Sequence, residues 1–270
     1  MRSTLGRAAA LVYGILCYAA FVVAFLYAVG FVTGIGVPRT VDRGIESPLT
    51  EAVLVNLMLL GAFAVPHSVM ARPGFKKRWT RIVPPAIERS TYVLVSSALL
   101  GLLFWQWRTM DVTVWHIEPP AARAVIWVIA AAGWATVVTS TFMLSHVELF
   151  GLRQVFDTWR SGKPDDANHF RTPMLYRLVR HPLMLGFVVA FWAAPTMTAG
   201  HLLFAAASTA YILVALRFEE RDLIATLGDQ YRRYRGDVPM LIPRPAQALR
   251  RIPRLSSNSR SDSLSPPQIP

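Results

Sequence analysis

The sequence predicts an all-α integral membrane protein, with four transmembrane helices followed by a C-terminal transmembrane helical hairpin. Three observations lead there. Of the 270 residues, 53% are hydrophobic and only 16% are charged, whereas an ordinary soluble domain carries about a quarter charged residues. The apolar residues are gathered into blocks at about 8–33, 50–70, 90–107, 121–145 and 183–218, and about 20 such residues cross a bilayer as a helix. The gaps between blocks alternate between strongly basic and nearly neutral, as loops on opposite sides of a membrane do.

The first block follows Arg2 and Arg7 and is longer than the ~7–15-residue core of a signal peptide, so it reads as a retained span. It carries Tyr13, Tyr18 and Tyr27, and the chain's one cysteine, Cys17. A single cysteine permits neither an internal disulfide nor a multi-thiolate metal site. The second block ends at Pro66-His67 and is followed by the basic loop ARPGFKKRW. The third ends at Trp105 and Trp107, which suit an interfacial belt. The fourth is framed by Trp127 and Trp134 and runs into SHVELFGLRQ. The fifth has 36 residues; as one helix it would be about 54 Å long, against a hydrocarbon core of about 30 Å. Its middle, APTMTAG at 194–200, brackets small polar residues with Pro195 and Gly200. Those are turn signals, and they predict a hairpin.

Charge fixes the expected topology. The loop after block two holds Arg72, Lys76, Lys77, Arg78, Arg81 and Arg89 against Glu88, and the loop after block four holds Arg153, Arg160, Lys163, Arg171, Arg177 and Arg180. The loop after block one and the 108–120 loop are nearly neutral. The positive-inside rule puts the N-terminus, both basic loops and the C-terminus in the cytoplasm of a bacterial-type inner membrane. The net charge of +12 thus serves topology and anionic headgroups rather than nucleic acid. From residue 244 to 270 the chain is rich in Ser, Pro and Arg, a composition that predicts disorder.

Three polar clusters fall at cytoplasmic ends of spans. One contains His67. The second, SHVELFGLRQ, brings His146, Glu148, Arg153 and Gln154. The third joins YRLVRHPLMLG at the hairpin entrance to LRFEERDL at its exit and YRRYRGDVPMLIP beyond. With the hairpin ends side by side, Arg180 and His181 would face Glu219 and Glu220. Pro182 suits a first helical position, and Gly186 would present a smooth face to a flat ligand. Two readings stand here: positive-inside charges with solvated ion pairs, or a pocket of both charge signs at the membrane boundary. A zwitterionic, adenosine-bearing cofactor such as S-adenosylmethionine would fit such a pocket.

Arg180-His181-Pro182, the Glu219-Glu220 pair, Tyr231, Tyr234 and Val238-Pro239 resemble the pattern of the isoprenylcysteine carboxyl methyltransferase and phospholipid methyltransferase-like membrane enzymes. Met184 departs from that pattern, which often has tyrosine there. The strings HSVMARPGFK, HVELFGLRQV and HFRTPMLYRLVRHPLMLG look like the NnrU-related branch that methylates methanethiol. The resemblance runs from about 50 to 243. It implies a methyltransferase domain over 1–243 with a cofactor-binding half at 146–243. It also implies S-adenosylmethionine held by Tyr176, Arg180, His181, Pro182, Leu183, Gly186, Glu219, Glu220, Tyr231 and Tyr234, and methanethiol as the small-molecule partner.

Methylation of a thiol needs its proton removed, because a free cysteine thiol has a pKa of about 8.5 and an alkanethiol is a weaker acid still. Histidine suits that task near neutral pH. His146 is the first choice, with Glu148, Arg153 and Gln154 behind it near the substrate, and His67 is the second. Two other functions stay open at this point: methylation of a lipid or prenyl-cysteine, and a non-enzymatic haem protein using His67 and His146 as axial ligands.

Overall fold

The computed structural model describes residues 4–143, 145–161 and 174–243; the tail expected to be disordered lies outside them. Among the described residues, four helices are long and apolar enough to cross a membrane: α1 (Thr4–Thr33), α2 (Leu49–Ala71), α5 (Pro120–Met143) and α9 (Ala199–Leu227). Their apolar residues point outward as well as inward. On α2, Leu54, Met58 and Val65 are exposed, a surface that suits lipid and would be costly in water.

Two expected spans differ from these. Helix α4 (Glu88–Gln106) replaces the third apolar block, but it is less apolar. Its Ser90, Ser96 and Ser97 are buried inside the bundle, and the hydroxyls of Ser96 and Ser97 bond back to the carbonyls of Tyr92 and Val93 at 2.9 and 2.8 Å. Helix α8 (Pro182–Trp192) has 11 residues, a length of about 17 Å that falls short of a bilayer core. The turn expected at 194–200 is present between α8 and α9.

The chain is not wholly helical. Strand β1 (Thr113–His116), in the connection between α4 and α5, pairs antiparallel with β2 (Thr196–Thr198) in the α8–α9 turn. The threonines, Val114 and Trp115 favour extended backbone, and pairing satisfies peptide groups that both connections would otherwise leave open. Trp107, read from sequence as a belt residue, is 1% exposed and donates from Nε1 to the Val41 carbonyl at 3.1 Å. Only Trp105 stays at the surface. The core near this end is aromatic: Phe31, Phe104, Trp107, Phe191 and Phe204 meet there.

The opposite, basic end collects short elements: α3 (Pro73–Trp79), α6 (His146–Leu149), α7 (Leu152–Ser161), a 3-10 turn (Met174–Arg177) and α10 (Asp229–Asp237). Helices α5 and α8 run antiparallel and nearly touch backbone to backbone. A Cβ on Gly186 would lie 2.8 Å from the Gly133 carbonyl oxygen and 2.9 Å from the Val137 nitrogen. Helix α5 therefore occupies the smooth face that the sequence offered to a flat ligand at Gly186. The register that sets Val137 beside Gly186 brings Thr141 to the depth of Pro182, one turn along each helix.

Candidate active site

The start of α8 and the end of α9 meet as the sequence suggested. Arg180 Nε donates to Glu220 Oε1 at 2.7 Å, and His181 Nε2 lies 3.2 Å from the same oxygen. Arg235 of α10 approaches the other oxygen at 3.4 Å. All three residues of the inner trio, Arg180, His181 and Glu220, are buried. Arg180 also donates to the carbonyls of Arg235 and Val238. Its backbone N–H bonds the Pro239 carbonyl at 2.9 Å, and that of His181 bonds Met240 at 3.2 Å. A buried charge is tolerated when it is paired and fully hydrogen-bonded. Arg180 therefore acts as a clamp that ties the last described stretch of chain to the hairpin entrance.

The two glutamates have different surroundings. Successive helical residues are about 100° apart, so with Glu220 turned to Arg180, Glu219 is turned away. It is exposed and lies within electrostatic reach of Tyr92, Tyr176 and Tyr231. Tyr234 donates to the Tyr176 carbonyl at 2.6 Å and stacks edge-on against Tyr231. Burial first, and then the Glu219 carboxylate, pushes the Tyr176 phenol well above its usual range. Leu183 is half-buried in the first turn of α8, behind the buried Pro182.

His146 follows α5 through Ser145, whose φ of 78° is a left-handed conformation uncommon for a non-glycine residue. That reversal returns the imidazole onto its own helix: Nδ1 lies 2.9 Å from Thr141 Oγ1 and Nε2 lies 2.8 Å from Tyr18 Oη of α1. Phe142 stacks on the ring at 4.4 Å and 9°, and Phe150 meets it edge-on at 4.8 Å. Burial lowers the His146 pKa, which keeps the ring neutral and able to accept a proton. Because Thr141 shares the depth of Pro182, this histidine sits close to the level of the Arg180–Glu220 cluster.

His67 lies in α2 against α4, and Tyr92, which reaches it, is also within electrostatic reach of Glu219. Ser96 Oγ lies 3.0 Å from its Nδ1, Tyr92 Oη lies 3.0 Å from both ring nitrogens, and Phe63 stacks on it at 5.0 Å. Beside it Ser68 bonds Tyr211 of α9 at 3.2 Å. The neighbours of His146 in sequence are largely taken up by the fold. Glu148 pairs with Arg153 at 3.2 Å, and Arg153 with Asp157 at 3.6 Å. The Glu148 carbonyl accepts from Arg89 at 2.9 Å. Gln154 keeps its side-chain oxygen buried with no hydrogen-bond partner among the described residues.

The family model for NnrU protein matches residues 54–218. The chain belongs to the NnrU family. Among curated proteins, a Methanethiol S-methyltransferase of Mycobacterium tuberculosis is 63% identical over 87% of this chain and 96% of its own length. Methanethiol S-methyltransferase 2 of Bradyrhizobium diazoefficiens is 57% identical over 88% and 91%. A Nurim homolog of Drosophila pseudoobscura pseudoobscura is 28% identical over 66% and 72%. No solved structure matches the chain significantly.

Sequence reasoning missed Tyr18, Thr141, Tyr92, Ser96 and Arg235. Four of these lie inside apolar runs, where a hydroxyl is a signal in itself, because polar groups within spans pair with one another or mark a functional path. Arg235 lay among too many arginines to stand out.

Proposed function

We propose that this NnrU-family protein transfers a methyl group from S-adenosylmethionine to the sulfur of methanethiol, giving dimethyl sulfide and S-adenosylhomocysteine. The observation that carries this reading is the 63% identity, over nearly the whole of both chains, to a protein named Methanethiol S-methyltransferase.

The residues at the basic end fit such a cofactor. The Glu220 charge is met internally by Arg180, His181 and Arg235. The Glu219 carboxylate makes no hydrogen bond or ion pair among the described residues, so it is available to ribose hydroxyls or an ammonium group. The half-buried Leu183 and Tyr234 offer apolar and aromatic surface at the start of α8, and the buried Tyr176, Tyr231, His181 and Pro182 back them. Gly186 contributes by letting α8 seat on α5. When bound, the cofactor supplies an electrophilic sulfonium methyl.

The protein's own work is positioning and proton removal. Holding donor and acceptor near contact distance in a dry site supplies much of the acceleration in such a displacement. His146, held neutral by burial, serves as the base; the aromatic walls of Phe142 and Phe150 suit a small apolar thiol. His67, bonded to Tyr92 on the α2–α4 side, is the comparison residue. Both termini lie in the cytoplasm in this reading, α4 spans with α1, α2 and α5, and α8–α9 form the hairpin.

The test is incubation of membranes containing the protein with methyl-labelled S-adenosylmethionine and methanethiol, followed by headspace analysis. Labelled dimethyl sulfide is expected. Label recovered in lipid, with none in the headspace, would move the assignment to a lipid or prenyl-cysteine acceptor.

A further inference from the structure

We infer that Tyr18, rather than the imidazole itself, is the group on which the thiol proton first lands, with Tyr18 passing its own proton to His146. This rests on the reading of His146 as the base. A hydroxyl has one proton and two acceptor lone pairs, and a neutral imidazole has one donor and one acceptor nitrogen. The Thr141 hydroxyl spends its proton on the Val138 carbonyl at 2.7 Å. Facing His146 Nδ1 at 2.9 Å it can only accept, so Nδ1 carries the ring proton. Nε2 therefore offers a lone pair, and Tyr18 Oη at 2.8 Å donates into it.

The imidazole is also covered. Phe142 lies flat on one side, and Phe150 and Tyr18 close the ring edge-on. A thiol reaching Nε2 directly would have to displace Tyr18. Tyr18 is half-buried and its oxygen makes no second hydrogen bond among the described residues, which leaves a lone pair to accept an S–H, and Phe21, stacked on Phe150 at 3.8 Å, adds apolar wall beside it. The His67 cluster repeats the parts but not the geometry. Ser96 likewise spends its proton on a carbonyl, yet Tyr92 Oη is equidistant from both ring nitrogens and does not lie along one lone pair.

The step balances. The S–H bond breaks and its proton goes to the Tyr18 oxygen as the Tyr18 proton moves to Nε2. The freed sulfur pair forms the new S–CH3 bond, and the pair of the broken bond remains on the donor's sulfur as a neutral thioether. The imidazolium then releases its proton to water.

Tyr18→Phe keeps the ring and deletes the relay. With the relay, kcat falls about 10²-fold, while KM for the thiol and cofactor affinity by calorimetry stay within about twofold. Tyr27→Phe, which keeps its stack on Phe104, serves as the folding control. A Tyr18→Phe enzyme as fast as wild type, with His146→Ala inactive, overturns the relay alone; an active His146→Ala overturns the base assignment beneath it. Two readouts do not depend on the folding of Tyr18→Phe. Nitrogen NMR of labelled histidine in the resting protein should find His146 protonated at Nδ1, and Nε2 protonation overturns the relay. A fluorinated tyrosine at position 18, a stronger acid that keeps the bond, should displace the pH profile of kcat, and an unchanged profile overturns it too.

Discussion

Gly186→Ala tests whether the α5–α8 contact sets the geometry of the site. The added Cβ would lie 2.8 Å from the Gly133 oxygen, 2.9 Å from the Val137 nitrogen and 2.9 Å from Val137 Cγ2. Two of these are backbone atoms, which no rotamer change can remove. Restoring an ordinary contact near 3.4 Å moves the helices apart by about 0.6 Å, and overpacking of this kind costs about 1–3 kcal/mol. The same movement carries Pro182 and His181 away from Thr141 and His146. A misplacement of about 1 Å can cost about 10²-fold in rate, so a turnover loss of about tenfold is expected here. Thermal melting in detergent and headspace measurement of product read the two effects separately. Gly101→Ala in α4 is the control: nothing among the described residues lies within 4 Å of its added carbon, and alanine there gains about 0.8–1 kcal/mol of helix propensity. If Gly186→Ala melts and turns over like Gly101→Ala, the close approach has no role in holding the site.

The adjacent glutamates should separate by phenotype. Glu220→Gln leaves Arg180 buried without its counter-charge and should destabilise the protein by about 3–5 kcal/mol, seen as a collapsed melting transition. Glu219→Gln should fold normally and lose cofactor affinity by calorimetry. Burial holds the His146 pKa below its ordinary 6.5, and the neutral ring is the working form, so the acid limb of kcat/KM should fall below pH 6.5. The unfolded chain binds the extra proton in that same window, so stability is retained above pH 6.5 and lost only as pH falls further. His146→Ala should abolish that limb and lower turnover by about 10²–10⁴-fold, whereas His67→Ala should keep the limb; the reverse result transfers the base to His67. A reporter fused after Pro243 should read as cytoplasmic, and a periplasmic signal would refute the hairpin.

Much of this was legible because membrane insertion writes itself into composition. Four long apolar helices, the α8–α9 turn at Pro195–Gly200 and the meeting of Arg180 with Glu220 follow from block length, turn residues and charge. The sheet between Thr113–His116 and Thr196–Thr198 was not legible, since it joins short segments far apart in sequence whose composition fits a loop equally well. Trp107 illustrates the same limit: an aromatic at the end of a span suits either a lipid belt or a core, and only its bond to Val41 decides. The Glu219–Glu220 pair was found as a pair, but its division of labour depends on helical phase relative to Arg180, which sequence spacing alone leaves open.

The clamp at Arg180 has a consequence for the order of events during synthesis. Its counter-ion, Glu220, is encoded 40 residues later, and the carbonyls of Val238 and Pro239 later again. At about 5–20 residues per second, some 2–8 s separate emergence of the guanidinium from that of the carboxylate. Through that interval Arg180 has no partner for its charge, and an unpaired arginine resists entering hydrocarbon. If α8 and α9 enter the bilayer as a hairpin, α8 is expected to wait at the aqueous boundary until α9 has been made, so that the two arms seat together. Chains truncated before residue 220 should carry α8 accessible to water-borne reagents, and chains that include residue 240 should not.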